Sequence, residues 1–304
     1  MTTIAIAGSV SVDITVRNAP ANWCAGDGID GYTPELITEL QLPIDVGLGG
    51  NGAAPAYVIG KLGGTVFLSA PVGTDMSGQL TRRWLDEAGV RLLGEPTAST
   101  MSAVTAVDDQ GKRLGCLQYV GPPVDWLAAS QCDDAAWLLI GTHTKATQDD
   151  YDNILLALTA AREHGTRTVL DSGLSWLRTL QPPAMHALWR QSDLVIGTGD
   201  ELGAWSDRTD PEAITRFVLD HGPRDVIVKL GEEGAAWQGF DEPFGHQAAH
   251  KPGSADVTVG AGDGFNGGVL AALAQGDSLR TAVDAGQEVA GAIVQSGRGI
   301  LGWR

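Results

Sequence analysis

Short β-branched apolar runs alternating with helix-like stretches confine this chain to few folds. The runs cover 3–7, 65–70, 136–140, 168–170, 194–196 and 226–228, and the helical stretches 52–62, 78–88, 149–164, 211–221 and 278–295. In 149–164 the apolar set Ile154, Leu155, Leu158 and Ala161 keeps helical spacing, and His164-Gly165 supplies a stop. Strands this short, apolar along their whole length, need cover on both faces, which predicts a mostly parallel sheet between two helix layers, an α/β fold. Two segments, 13–46 and 100–119, read as strands with no helix between them; the second carries a turn at Asp108-Asp109-Gln110-Gly111. They predict a small β-sheet lid on the main sheet. No fixed-period repeat or low-complexity linker divides the chain, so 1–304 is expected to act as one domain.

Charge narrows the partners. The 304 residues carry a formal net charge of −17, which repels nucleic acid phosphates and an anionic membrane surface. A small-molecule ligand is the expectation. No stretch approaches the roughly 20 apolar residues of a membrane span, and the start, Met1-Thr2-Thr3-Ile4, lacks a basic leader, so the chain reads as cytoplasmic. Cys24, Cys116 and Cys132 are odd in number and far apart, which argues against a disulfide framework or a thiolate zinc site. His246 and His250 stand four apart, but Gly and Pro bound their segment, which reads as strand or loop and gives them no shared helical face.

Ligands of open α/β sheets bind beyond the carboxyl ends of the strands. Polar and Gly-rich residues occur there: Gly8 to Asp13, Gly141-Thr142-His143, Asp171-Ser172-Gly173, Thr198-Gly199-Asp200-Glu201 and Gly231-Glu232-Glu233-Gly234. The strongest signal is Gly260-Ala261-Gly262-Asp263-Gly264-Phe265-Asn266-Gly267-Gly268. Small residues let successive amides point into one hollow, and a helix beginning near Asp263 adds the positive end of its dipole, forming an anion hole. A carboxylate there suits proton removal from an attacking alcohol. Equally, Asp263 caps the helix and the glycines permit tight packing. The second signal, Gly47-Leu48-Gly49-Gly50-Asn51-Gly52-Ala53, is a Gly-rich turn entering a helix, where a sugar-like ligand can approach the backbone closely. Its Gly47, Gly49 and Gly52 also match the dinucleotide fingerprint, so a nicotinamide-dependent dehydrogenase is a further reading.

Taken together, Gly49-Gly50-Asn51-Gly52-Ala53 and Gly260-Ala261-Gly262-Asp263 resemble the N- and C-terminal signatures of the ribokinase-like (PfkB) kinases. Val72-Gly73-Thr74-Asp75 with Gly78, and then Ala88-Gly89-Val90, is similar to the family's intervening segment. The resemblance implies a doubly wound α/β core with a β lid, and phosphoryl transfer from ATP with Mg2+ to a hydroxyl of a sugar, nucleoside or polyol. It maps the base onto Asp263 and the anion hole onto Gly260, Ala261 and Gly262. The acceptor site maps onto Ser11, Asp13, Gly49, Gly50 and Asn51, the nucleotide site onto Thr198, Lys229, Gly231 and Gly234, and the metal onto Glu201. Adenine is expected between the segment after Gly231 and the helix around 285–292, and a homodimer through the lid is expected.

The chain departs from the family pattern at several positions. Ser11 and Ala54 stand where many members have Asn, which predicts that ribose is a poor acceptor. Thr198 replaces the Asn of the Asn-x-x-Glu element, and Val257 replaces an Asp, with Asp256 one place earlier. A member of the fold that binds ligand without turnover, in a regulatory role, is the alternative to the kinase.

Overall fold

Successive side chains along the buried strands enter opposite helix layers, which is why the apolar runs are continuous. The computed structural model describes residues 2–19, 42–109, 113–132, 134–142, 146–250 and 259–303. Strand β1 (Thr3–Ala7) leads into β2 (Ser11–Val16), and β3 (Ile44–Gly49) returns to helix α1 (Ala53–Lys61). Next come β4 (Thr65–Ser69), α2 (Met76–Glu87), β5 (Arg91–Leu92), β6 (Met101–Val107), β7 (Arg113–Tyr119) and α3 (Trp126–Ser130). The middle of the chain alternates as β8 (Ala135–Gly141), α4 (Gln148–Glu163), β9 (Arg167–Asp171), α5 (Pro182–Arg190), β10 (Leu194–Thr198), α6 (Gly199–Ser206), α7 (Pro211–Leu219) and β11 (Asp225–Lys229). Strands β12 (Ala235–Gly239) and β13 (Gly245–Gln247), the latter at the sheet edge, precede the helix pair α8 (Ala261–Gln275) and α9 (Leu279–Ser296).

The main sheet runs β13-β12-β11-β10-β9-β8-β1-β4-β5 and is parallel except where β12 pairs with β11 and β13. Ile4, Ile6, Leu139, Val169, Ile196 and Ile227 pack with Val58, Val269, Val283 and Ile293 of α1, α8 and α9. Ala5, Leu138, Ile140, Leu170, Val195 and Val226 pack with Ile154, Leu188, Leu202 and Ile214 of α4 to α7 on the other face. At α4 the helix start is fixed by Thr147, whose hydroxyl accepts the Asp150 N–H while Asp150 takes the Thr147 N–H, a reciprocal cap. No helix among the described residues is long and apolar enough to cross a membrane.

The fold agrees with the α/β expectation. The strand and helix runs read from the sequence fall within two residues of observed elements, whereas α5, α6 and β12 were not foreseen. A separate four-stranded sheet, β3-β2-β6-β7, comes from the two irregular segments. Residues 20–41 and the Gln110-Gly111 part of the expected turn lie outside the described residues, as do Cys24, His143, Asp256 and Val257. Cys116 is an exposed free thiol. His246 bonds the Glu233 carbonyl, whereas His250 Nε2 lies 2.9 Å from Asp284 Oδ1, so the two rings have separate partners.

One half-buried carboxyl gives the fold a pH signature. Asp225, at the start of β11, packs so close to Gly239 that a Cβ there would fall 2.3 Å from its Oδ1. Desolvation raises its pKa to about 6, with Glu242 and Asp241 adding to the shift and Arg224 and Arg167 opposing it. Because the folded value exceeds the ordinary 3.8, the native state holds this proton more tightly, and the stabilisation is full below about pH 4 and lost as pH rises through 6. Two pH units correspond to roughly 3 kcal/mol. Chemical denaturation of wild type and Asp225→Asn across pH 4–6.5 is expected to give curves that differ by a falling slope of this order in wild type; parallel curves contradict the assignment.

Candidate active site

The carboxyl ends of β1, β8, β9, β10 and β11 share one edge, and the strand order reverses between β1 and β8, the place where open α/β sheets take ligands. Asn51 occupies that switch point. Its Oδ1 accepts from the Ser9 N–H at 2.9 Å and the Ser9 hydroxyl at 2.8 Å, and a Cβ on Gly141 would fall 2.5 Å from its Nδ2. The sequence reading put Asn51 and Gly50 among acceptor contacts. In the structure the Asn51 amide is buried between Gly8 and Gly141, and Gly50 adopts φ 97° where a Cβ would meet the Ser9 carbonyl at 2.5 Å. Both residues fasten the Gly-rich turn to the exit of β1. That turn follows β3 of the small sheet rather than β1, which removes the context the dinucleotide fingerprint requires.

Asp13 lies in the middle of β2, with Ser11 Oγ donating to its Oδ1 at 2.7 Å. Gly49 is obligatory beside it, because a Cβ would sit 2.0 Å from Asp13 Oδ2. Asp13, Thr15, Arg17 and Gly47 face Val259 and 297–299 across a narrow cleft. Arg17 bridges it, donating to Asp45 of β3 and to the Gly297 carbonyl at the end of α9. The small sheet therefore stands over the segment that enters α8.

Gly260 caps α8 at φ 85°, a left-handed conformation, with no side-chain cap of its own. The first amides of a helix have no intrahelical partner, so Ala261, Gly262 and Asp263 present N–H groups and a positive dipole end at this edge. Gly262 is exposed, and among the described residues a Cβ on it would meet only Lys229 Nζ, at 3.9 Å. Gly264, Gly267 and Gly268 serve packing, since Cβ atoms there would meet Ile293 at 2.2 Å, Val58 at 2.8 Å and the Ala285 carbonyl at 2.8 Å. The two readings of the motif thus divide along the helix, with the open glycine at its first turn and the packed ones behind.

Beneath this turn lies a buried charge network that the sequence reading missed as a unit. Lys229, the last residue of β11, places Nζ 3.4 Å from Asp171 Oδ1 and 3.2 Å from Asn266 Oδ1, while Asn266 Nδ2 donates to Asp171 Oδ2 at 3.0 Å. Asp171 is wholly buried, and the Lys229 side chain is 10% exposed. Burial alone pulls the ammonium pKa down, but Asp171, Glu201 and Asp263 together outweigh it and raise it. Lys229 is thus a fixed positive charge among three carboxylates. A signal existed: Asp171 ends an otherwise apolar strand, and Asn266 follows Asp263 by three, one helical turn along α8.

Three other positions have local explanations. Thr198 caps α6, accepting the Glu201 N–H at 3.1 Å, while buried Glu201 takes the Thr198 N–H at 2.7 Å, so the Thr198 hydroxyl is committed to the helix start. Gly234, expected at the nucleotide, is required because a Cβ would lie 2.0 Å from the Gln247 carbonyl. Gly231 turns at φ 60° with open space around it.

A 5-dehydro-2-deoxygluconokinase of Photobacterium profundum is 28% identical over 287 residues, covering 86% of this chain and 85% of the relative. A fructokinase of Vibrio alginolyticus is 27% identical, covering 83% and 84%. Among solved structures, ribokinase from Thermotoga maritima superimposes with a TM-score of 0.78 at 20% identity, covering 100% of this chain and 96% of that one. A Cryptococcus neoformans ribokinase in complex with ADP gives 0.74 at 20% identity, covering 100% and 97%. The model of the pfkB family carbohydrate kinases matches residues 32–303, so the chain belongs to the pfkB family of carbohydrate kinases.

Proposed function

We propose that this carbohydrate kinase transfers the γ-phosphoryl group of ATP to a hydroxyl of a small sugar or related polyol, with Asp263 as general base. The observation that carries the reading is the helix start at Gly260–Asp263, where open amides, a carboxylate and the Lys229 ammonium meet. The acceptor oxygen attacks the γ-phosphorus, its proton passes to Asp263, and the bond to the bridging oxygen of ADP breaks. Charge on the transferred group is met by the amides of Ala261 and Gly262 and by Lys229 beneath them. Asp13, held by Ser11 and given room by Gly49, orients acceptor hydroxyls. Core and small sheet work as one unit, with the small sheet as a lid that excludes water.

The nucleotide enters over Gly231, whose surroundings are open, and its base lies toward α9. The oxygen donors at this edge fit magnesium carried on the nucleotide phosphates. Glu201 would hold it through water, because one Glu201 oxygen already takes the Thr198 N–H and because the ion keeps most of its waters. When bound, the ion neutralises phosphate charge. A panel of neutral sugars, sugar acids, nucleosides and polyols assayed for ADP release tests the reading. At least one acceptor is expected to turn over, with ribose among the poor ones. Nucleotide binding by calorimetry with no ADP release across the panel would establish the non-catalytic binder instead.

The lid also carries the proposed dimer. Val46, Ile14, Val104 and Leu117 lie in register across its four strands on the face opposite Asp13, and Leu117 is 67% exposed. On a chain of net charge −17 such an apolar row, half-buried at Ile14 and Val104 and exposed at Val46 and Leu117, is best covered by a second copy. Sedimentation velocity at micromolar concentration is expected to show a dimer that Leu117→Lys converts to monomer; a wild-type monomer removes the proposal.

A further inference from the structure

The Val72-Gly73-Thr74-Asp75 segment lies away from the reacting groups, yet it fastens the lid. Asp75 caps α2, and its Oδ1 accepts the Gly78 N–H at 2.8 Å. The same carboxylate reaches the chain entering β6, where Oδ2 accepts the Thr100 N–H at 2.9 Å and Oδ1 the Thr100 hydroxyl at 3.0 Å. Thr100 is 1% exposed, and its Oγ1 in turn accepts the Gly73 N–H at 2.7 Å. Ser77 and Ser102 add a hydroxyl contact at 3.0 Å. Burial works against the ionised Asp75, but the Thr100 and Gly78 donors outweigh it and lower its pKa.

The clamp sits one residue from β6, the neighbour of the strand that carries Ser11 and Asp13. β6 begins at Met101 and pairs with β2 in parallel, Ser11 against Met101 and Asp13 against Ala103. Whatever fixes Thr100 therefore fixes the height and tilt at which Asp13 stands over the cleft. The other entrance to the lid is held by the buried contacts of Ser9 with Asn51. Between these two fastenings the small sheet has a defined axis.

We infer that Asp75 is a positioning residue for the acceptor, acting through Thr100 and β6 on Asp13. The inference rests on the reading of the small sheet as a lid over the acceptor. It separates two jobs of one carboxylate, capping α2 and clamping Thr100, which different substitutions can part. Asp75→Ser keeps a cap for the Gly78 N–H but is too short to reach Thr100. Thr100→Val leaves the cap intact and removes the hydroxyl from the clamp, and Thr100→Ser keeps it.

The test uses the best acceptor found on the panel. Asp75→Ser and Thr100→Val are each expected to raise acceptor KM on the order of tenfold, since hydrogen bonds to a charged group are lost. The nucleotide KM and kcat stay near wild type, and Thr100→Ser recovers the acceptor KM. A purely structural role predicts the opposite pattern, with lower thermal stability and a smaller active fraction but unchanged KM values for both substrates, and that result overturns the inference. Hydrogen exchange of the small sheet with and without acceptor separates the two levels. Protection by acceptor in wild type together with unchanged KM in both variants rejects the clamp alone, whereas no protection in wild type rejects the lid and the clamp with it.

Discussion

Replacing Asp263 by Asn is expected to lower turnover of the best acceptor about 10²- to 10⁴-fold, the range that a positioned general base supplies. The substitution keeps the size of the side chain and leaves Asn, itself a good residue at a helix start, in the first turn of α8. Gly260 supplies the cap conformation independently, so the helix start does not depend on the carboxylate. Acceptor and nucleotide affinities should therefore move little while kcat falls. Asp263 also contributes to the field that raises the Lys229 pKa, so its neutralisation leaves one carboxylate fewer around a lysine that Asp171 and Glu201 continue to hold. Rapid-quench measurement of a single turnover would show the loss in the chemical step itself. Unchanged turnover means that the proton leaves by another route and that the base assignment is wrong.

The sheet was legible because its strands are buried on both faces, so that 3–7, 136–140 and 226–228 read as unbroken apolar runs whatever their neighbours. The helical spacing of Ile154, Leu155, Leu158 and Ala161 and the stop at His164-Gly165 are equally local signals. What escaped was of two kinds. Strand β12 is buried but holds Ala, Trp, Gln and Gly with no β-branched run to mark it, and α6 is a short helix whose Thr198–Glu201 start was read as part of a nucleotide and metal element. The charge network escaped for a different reason. Asp171 and Lys229 end strands that are not neighbours, with β10 between them, and Asn266 comes from a helix entered much later in the chain. No periodicity relates three such positions; the sheet order does. Among the glycines, sequence alone could not divide Gly262, which faces open space, from Gly264 and Gly267, which face Ile293 and Val58.

The largest stability effect is expected at Lys229. Lys229→Met keeps an unbranched apolar stem but removes the ammonium facing Asp171, which is wholly buried and would retain only Asn266 of the contacts described above. Breaking a buried ion pair from one side typically costs about 3–5 kcal/mol, because the remaining charge is left in a medium that cannot solvate it. Since the Lys229 pKa is raised above the ordinary 10.5, the pair's contribution is fully present below that pH and is lost only as pH climbs past it, so wild type and variant should differ by a constant amount through the neutral range. The double variant Lys229→Met with Asp171→Asn removes both charges and is expected to regain much of the lost stability, as coupled neighbours do. Turnover is expected to stay low in the double variant, because Gly262 would then face a neutral methyl group where a phosphoryl group gathers charge. Urea denaturation read beside steady-state kinetics separates the two roles. If the double variant recovers stability and turnover together, Lys229 only neutralises Asp171, and the transferred phosphoryl group depends on the helix amides alone.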